Sequence, residues 1–229
     1  MTLADWRAAL LERLGLLVVS RRTPRGRRLL RYPWTTVSNS VAMRTFNLLF
    51  SLGRATERTA KTFFGEPMAV MVPSGYGDVY LHGAPLDADA EVRLNMFLVR
   101  ELAEGAVFFD VGACLGYYSL LAAKLVGPKG AVHAFEPAPS LLPLLRRNLG
   151  GRPNISLVEK ALSGSSGTTR FHVSPLPFIG ASSIRGDWQT KAQLVTVETT
   201  SLDDYCYGAG AFPDVIKLDV EGVEDEGLR

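Results

Sequence analysis

The sequence predicts an α/β fold built on a mostly parallel sheet, and three observations predict it. From about residue 106 onward, short apolar runs alternate with helical stretches. A glycine-punctuated turn, Asp110-Val111-Gly112-Ala113-Cys114-Leu115-Gly116, closes the first of these runs. A carboxylate, Glu136, closes the second. Apolar strands alternating with helices imply right-handed crossovers and a sheet covered on both faces. With 229 residues, 47% of them hydrophobic, the chain is long enough for one such domain plus an extension.

Three segments follow from the periodicities. Residues 1–65 read as a basic helical extension. In it, Leu3, Trp6, Leu10, Leu14 and Leu17 recur at helical spacing over 3–19, and a second helical stretch is expected over 38–64. Between them, Pro24 and Gly26 interrupt an arginine-rich run. Residues 66–105 read as a hairpin, with strands 68–73 and 78–82 around Ser74-Gly75-Tyr76-Gly77, leading into a helix at 87–103. Residues 106–229 form the core. Strands are expected at 106–111, 131–135, 155–162 and 214–219, and helices at 116–126 and 139–149. An inserted β-hairpin is expected at 168–174 and 193–200.

Charge is divided unevenly. Residues 1–65 carry 12 Lys/Arg against 3 Asp/Glu, whereas the remainder carries 13 against 20. The basic extension suits a membrane surface, where Trp6, Trp34 and the arginines of 21–31 would meet headgroups. Nucleic-acid binding is not expected, because the arginine run has few interleaved aromatics. The apolar run at 14–19 is far shorter than the ~20 residues of a spanning helix, and charges break any signal-peptide pattern. Cys114 and Cys206 make no disulfide or metal pattern, so no metal is expected. A cytoplasmic, or membrane-peripheral, location follows.

The turn at 110–116 should lie above the carboxyl end of its strand, where open α/β sheets bind ligands. Its spacing is Gly-x-x-x-Gly, which differs from the Gly-x-Gly-x-x-Gly of dinucleotide sites. Asp110 beside that turn would repel a pyrophosphate. It suits a cofactor with an ammonium group and no phosphate, such as S-adenosylmethionine. At the next strand end, Glu136 can accept hydrogen bonds from both hydroxyls of a ribose. Lys217, inside an apolar strand, needs a partner there. By period two it shares a face with Asp219, and a structural ion pair is expected of it. The three histidines, His82, His133 and His172, read as structural.

Four motifs occur in order: Asp110-Val111-Gly112-Ala113, Ala134-Phe135-Glu136-Pro137, Lys160-Ala161-Leu162-Ser163 and Ile216-Lys217-Leu218-Asp219-Val220-Glu221-Gly222. Together they resemble the FkbM family of class I S-adenosylmethionine-dependent methyltransferases over about residues 78–229. The resemblance implies a Rossmann-like class I methyltransferase fold and methyl transfer from S-adenosylmethionine, usually to a hydroxyl oxygen. Implied acceptors are small molecules, sugars or glycolipids. It also implies that Asp110, Gly112 and Gly116 line the methionine side, with Ala113, Cys114 and Tyr117 beside them. Glu136, followed by Pro137, would bind the ribose, and Lys160 and Ala161 would lie beside the adenine. Asp219 and Glu221 would face the methyl group and the acceptor as candidate bases. The family usually has Asn where Cys114 stands.

That fold orders seven strands 3-2-1-4-5-7-6, which would set the strand of Lys217 beside that of Asp110 and pair the two, and four core strands are countable here. The C-terminal strands are therefore expected to be missing, with the fourth strand left as an apolar edge. A truncated, catalytically inactive remnant that still binds cofactor or a partner is the alternative reading.

Overall fold

A computed structural model describes residues 2–21, 56–72, 89–173 and 193–220. The chain divides into two compact units, Met1–Glu101 and Leu102–Arg229.

In the first unit, helix α1 (Leu3–Arg21) buries Trp6, Leu10 and Leu14, one residue per turn along a single stripe. It packs against α2 (Asp89–Glu101), and Arg7 Nη1 donates to the Val99 carbonyl at 2.8 Å. Strands β1 (Thr56–Lys61) and β2 (Pro67–Val72) form an antiparallel hairpin. Its connection is closed by Thr62, whose hydroxyl donates to the Glu66 carbonyl and accepts from the Glu66 N–H. Gly65 turns there at φ 94°.

This hairpin corrects the expected helix over 38–64, whose last third is a strand. Thr56 and Thr59 are β-branched and favour extended backbone, and β2 supplies the ladder that completes it. The partner of 67–72 is thus the segment before it. The expected partner, 78–82, lies outside the described residues, as do 38–55 and all of 21–31 after Arg21. The boundary expected after residue 65 falls within the hairpin. Among the described residues, no helix is long and apolar enough to cross a membrane.

In the second unit, strands β3 (Val107–Val111), β4 (Ala131–Phe135), β5 (Ile155–Val158) and β9 (Val215–Leu218) form a parallel sheet in the order β5-β4-β3-β9. These are the first four places of the expected order 3-2-1-4. Helix α3 (Tyr117–Val126) follows β3, and α4 (Leu142–Leu149) follows β4. The central strands are covered on both faces: Phe108 and Phe109, on opposite faces of β3, are both fully buried. On one face Phe109, His133, Phe135 and Tyr205 form an aromatic cluster, and His133 Nδ1 lies 2.7 Å from the Tyr205 hydroxyl. Burial pushes the His133 pKa down, so the ring serves as neutral packing.

The strand expected over 155–162 is two strands in two sheets. β5 stays in the parallel sheet. β6 (Ala161–Leu162) joins a second sheet, ordered β6-β8-β7, with the inserted hairpin β7 (Gly167–Val173) and β8 (Gln193–Thr200). An additional helix, α5 (Leu202–Ala209), is capped by Ser201, whose side chain accepts from the Asp204 N–H, and ends at Gly210 in the left-handed region.

Candidate functional site

β3 delivers the turn and β4 delivers the carboxylate. Chain reversal after β3 relies on left-handed backbone at Gly112 (φ 77°), Cys114 (φ 53°) and Gly116 (φ 84°). At Gly112 a Cβ would collide with the backbone carbonyl of Asp219, so the turn lies directly against the end of β9. At Gly116 a Cβ would press on the tips of Leu145 and Leu149, so α3 starts hard against α4. Cys114 is the one non-glycine residue at positive φ among the described residues. Its thiol is driven upward in pKa by burial, with Glu136 adding to the effect, so it stays protonated and unreactive.

The amides of this turn point inward. Gly112 and Ala113 both donate to the Phe135 carbonyl, at 3.0 and 2.9 Å. Cys114 donates to Glu136 Oε2 at 2.9 Å, and Gly116 donates to the Ala113 carbonyl at 2.7 Å. A phosphate-cradling loop turns such N–H groups toward its ligand; here four are consumed by the fold. The arrangement disfavours a dinucleotide on independent grounds from the sign of Asp110.

Glu136 is buried, yet it lines the cleft above the strand ends. Oε1 accepts from the Ala138 N–H and Oε2 from the Cys114 N–H, both at 2.9 Å. Each oxygen retains a lone pair. Burial raises the Glu136 pKa, and the two backbone N–H groups and Lys217 pull against that rise.

Asp110 is held otherwise. It is fully buried, and Oδ2 accepts from the Ser119 hydroxyl at 2.6 Å, tying β3 to α3. Oδ1 lies 3.2 Å from Lys217 Nζ as an ion pair, without an aligned hydrogen bond. Lys217 in turn donates to the Gly112 carbonyl at 3.0 Å and lies 3.7 Å from Asp219 Oδ2. Burial works against its charge, but Asp110 and then Asp219 outweigh that, and its pKa is raised. The expected Asp110–Lys217 pairing is present.

A cleft opens above this arrangement, at the carboxyl ends of the strands. Of the residues singled out in the sequence, Gly112, Glu136, Pro137, Lys160, Ala161 and Asp219 line it. Asp110 and Tyr117 are enclosed, Ala113 and Gly116 are buried under the turn, and Cys114 is half-buried. Glu221 lies outside the described residues. Sequence reasoning missed Phe171, a cleft residue from the inserted hairpin. The alternation of Thr169, Phe171 and Val173 was its available signal. The donor set suits S-adenosylmethionine: a carboxylate with spare lone pairs suits ribose hydroxyls, and the inward amides suit a ligand without phosphate.

The family model for the methyltransferase FkbM domain matches residues 110–229. A hexuronic acid methyltransferase, AglP, of Haloferax volcanii is 31% identical over 145 residues, covering 62% of this chain and 57% of its own length. A protein-L-isoaspartate O-methyltransferase of Methanothrix thermoacetophila is 34% identical over 116 residues, 47% of this chain and 55% of its own. A 2-O-methyltransferase, NoeI, of Sinorhizobium fredii is 32% identical over 113 residues, 43% of this chain and 46% of its own. The chain thus spans about half the length of the curated relatives it matches.

Proposed function

The chain belongs to the family of the methyltransferase FkbM domain, and on that premise we propose that it methylates a hydroxyl oxygen of a sugar-like or other small acceptor, using S-adenosylmethionine. The observation that carries the cofactor assignment is Glu136, aligned by two backbone N–H groups with capacity left for two ribose hydroxyls. Bound there, S-adenosylmethionine would supply a methyl group already activated by positively charged sulfur. The remaining work belongs to the protein: aligning the acceptor oxygen with that methyl and removing its proton.

Glu136 and Pro137 take the ribose side, Lys160 and Ala161 the adenine side, and Gly112 the methionine side. Asp110 supports the last of these indirectly, by holding Lys217, which donates to the Gly112 carbonyl. Asp219 sits on the cleft wall, exposed to solvent and oriented by Lys217. It is the candidate base for the acceptor hydroxyl, with Glu221 as a second candidate. The acceptor class is supported by two relatives whose names specify a hexuronic acid and a 2-O position.

The test is titration calorimetry with S-adenosylmethionine, followed by transfer of a labelled methyl group to a panel of uronic acids and neutral sugars. Saturable cofactor binding and labelling of at least one hydroxyl acceptor are expected. Absence of binding would defeat the cofactor assignment, and binding with label only on carboxyl or amine acceptors would defeat the hydroxyl assignment.

A further inference from the structure

We propose that Phe171, on the inserted hairpin, is the aromatic wall against which the adenine ring of the cofactor lies. The proposal rests on the S-adenosylmethionine reading above and adds a specific residue from outside the parallel sheet.

The register of the second sheet brings Phe171 to the site. Ala161 of β6 pairs with Thr199 of β8, and Thr199 in turn lies opposite Gly167 of β7. Alternate residues of a strand share a face. Phe171, four positions beyond Gly167, therefore stands on the same face as Ala161. Both line the cleft that Glu136 also lines. An ion pair at 3.1 Å between Lys160 and Glu198 spans from the segment entering β6 to β8.

The ring stands on the cleft wall without an aromatic partner among the described residues. Of the two aromatic residues lining the cleft, Phe135 is fully buried and engaged with Tyr205 and Phe109, at centroid distances of 4.7 and 5.4 Å. Phe171 stacks on no other ring among the described residues, although it is only 5% exposed. A ring on the wall of a cleft, beside a carboxylate suited to a ribose, matches a flat, π-rich base attached to that ribose. The inserted hairpin is thus a part of the cofactor site.

Calorimetry on the 229-residue chain with adenosine, and separately with S-adenosylmethionine, tests this. Phe171→Leu keeps apolar bulk but removes the ring, and should weaken both ligands by the same factor, about 5- to 100-fold, the range of base–aromatic stacking. Phe171→Trp keeps a ring, should retain binding, and should show tryptophan emission quenched by adenosine beyond any change in the parent. Parent-like binding by a folded Phe171→Leu variant, or a Phe171→Trp emission indifferent to adenosine, overturns the proposal while leaving the cofactor reading intact. A parent protein that binds neither ligand overturns both. If Phe171→Leu does not fold, the emission of Phe171→Trp decides alone.

Discussion

Two carboxylates, Asp110 in β3 and Glu136 just past β4, are both buried at neighbouring strand ends, and they are held in opposite ways. Asp110 meets an ammonium and a hydroxyl, Lys217 and Ser119. Glu136 meets two backbone N–H groups and lines an open cleft. A charge neutralised by a fixed counter-ion is a fastening within the fold. A charge steadied by weak dipoles, with lone pairs to spare, is prepared for something that arrives from outside. Similar burial therefore conceals different roles, and substitution should separate them.

The largest effect is expected on the fastening. Asp110→Ala leaves the Lys217 ammonium buried and without its main partner, and should lower unfolding free energy by about 3–5 kcal/mol. Urea denaturation measures this. Lys217→Met added to Asp110→Ala should recover part of the loss, because the stranded charge is gone. A loss under about 1 kcal/mol for Asp110→Ala would erase the distinction between the two sites.

Next comes the seam between them. Gly112→Ala places a methyl group against the Asp219 carbonyl at a φ of 77°, and displacing backbone should cost about 1–3 kcal/mol. The displaced turn should also weaken binding of S-adenosylmethionine in calorimetry. A variant as stable as the parent would mean the turn and β9 separate easily.

Glu136 should respond in affinity and in pH profile. Its pKa in the folded protein is raised above its ordinary value of 4.5. A raised value means the folded state holds the proton more tightly, so its contribution to stability is present below 4.5 and fades as pH rises through the folded value. Lys217 is also raised, above 10.5, so its contribution persists until alkaline pH. As pH rises from 4.5 through the folded value, the stability of the parent relative to Glu136→Gln should decline, while S-adenosylmethionine binds the variant about 5- to 100-fold more weakly. Urea midpoints at a series of pH values, with parallel titrations, check both. A flat difference profile would mean Glu136 is not strained by its burial.

The smallest effect is at Cys114. Asn visits left-handed backbone more readily than cysteine, so Cys114→Asn should raise stability by about 0.5–1 kcal/mol and leave cofactor affinity equal or better. Lower stability in urea would show that the thiol's packing outweighs backbone strain.

The strand ends were legible because they combine local signals: apolar runs, glycine spacing and a carboxylate at each end. Even the Lys217–Asp110 pair followed from period two and strand order. What escaped depends on distant partners. Residues 56–61 carry enough apolar neighbours to continue a helix, and only pairing with 67–72 makes them a strand. The run 155–162 divides because the Glu136 N–H takes the Val158 carbonyl, whereas Ala161 pairs with Thr199 in another sheet. Phe171 needed the same register to reach the cleft. By contrast, the Ser201 and Gly210 caps of α5 lie in the sequence, but they frame only 8 residues.

The placement of β9 beside β3 has a consequence in time. Lys217 and the Val111 carbonyl to which it donates are 106 residues apart, and everything between must be made before they meet. At ~5–20 residues per second of synthesis, β3 would leave the ribosome about 5–20 s before β9. Through that interval the side of β3 destined for β9 has unpaired backbone groups, and Asp110 has no ammonium beside it. The nascent sheet can grow toward β4 and β5 at once, yet its other side must wait. That makes the β3 edge the place where a chaperone, or a second nascent chain, would find an opening.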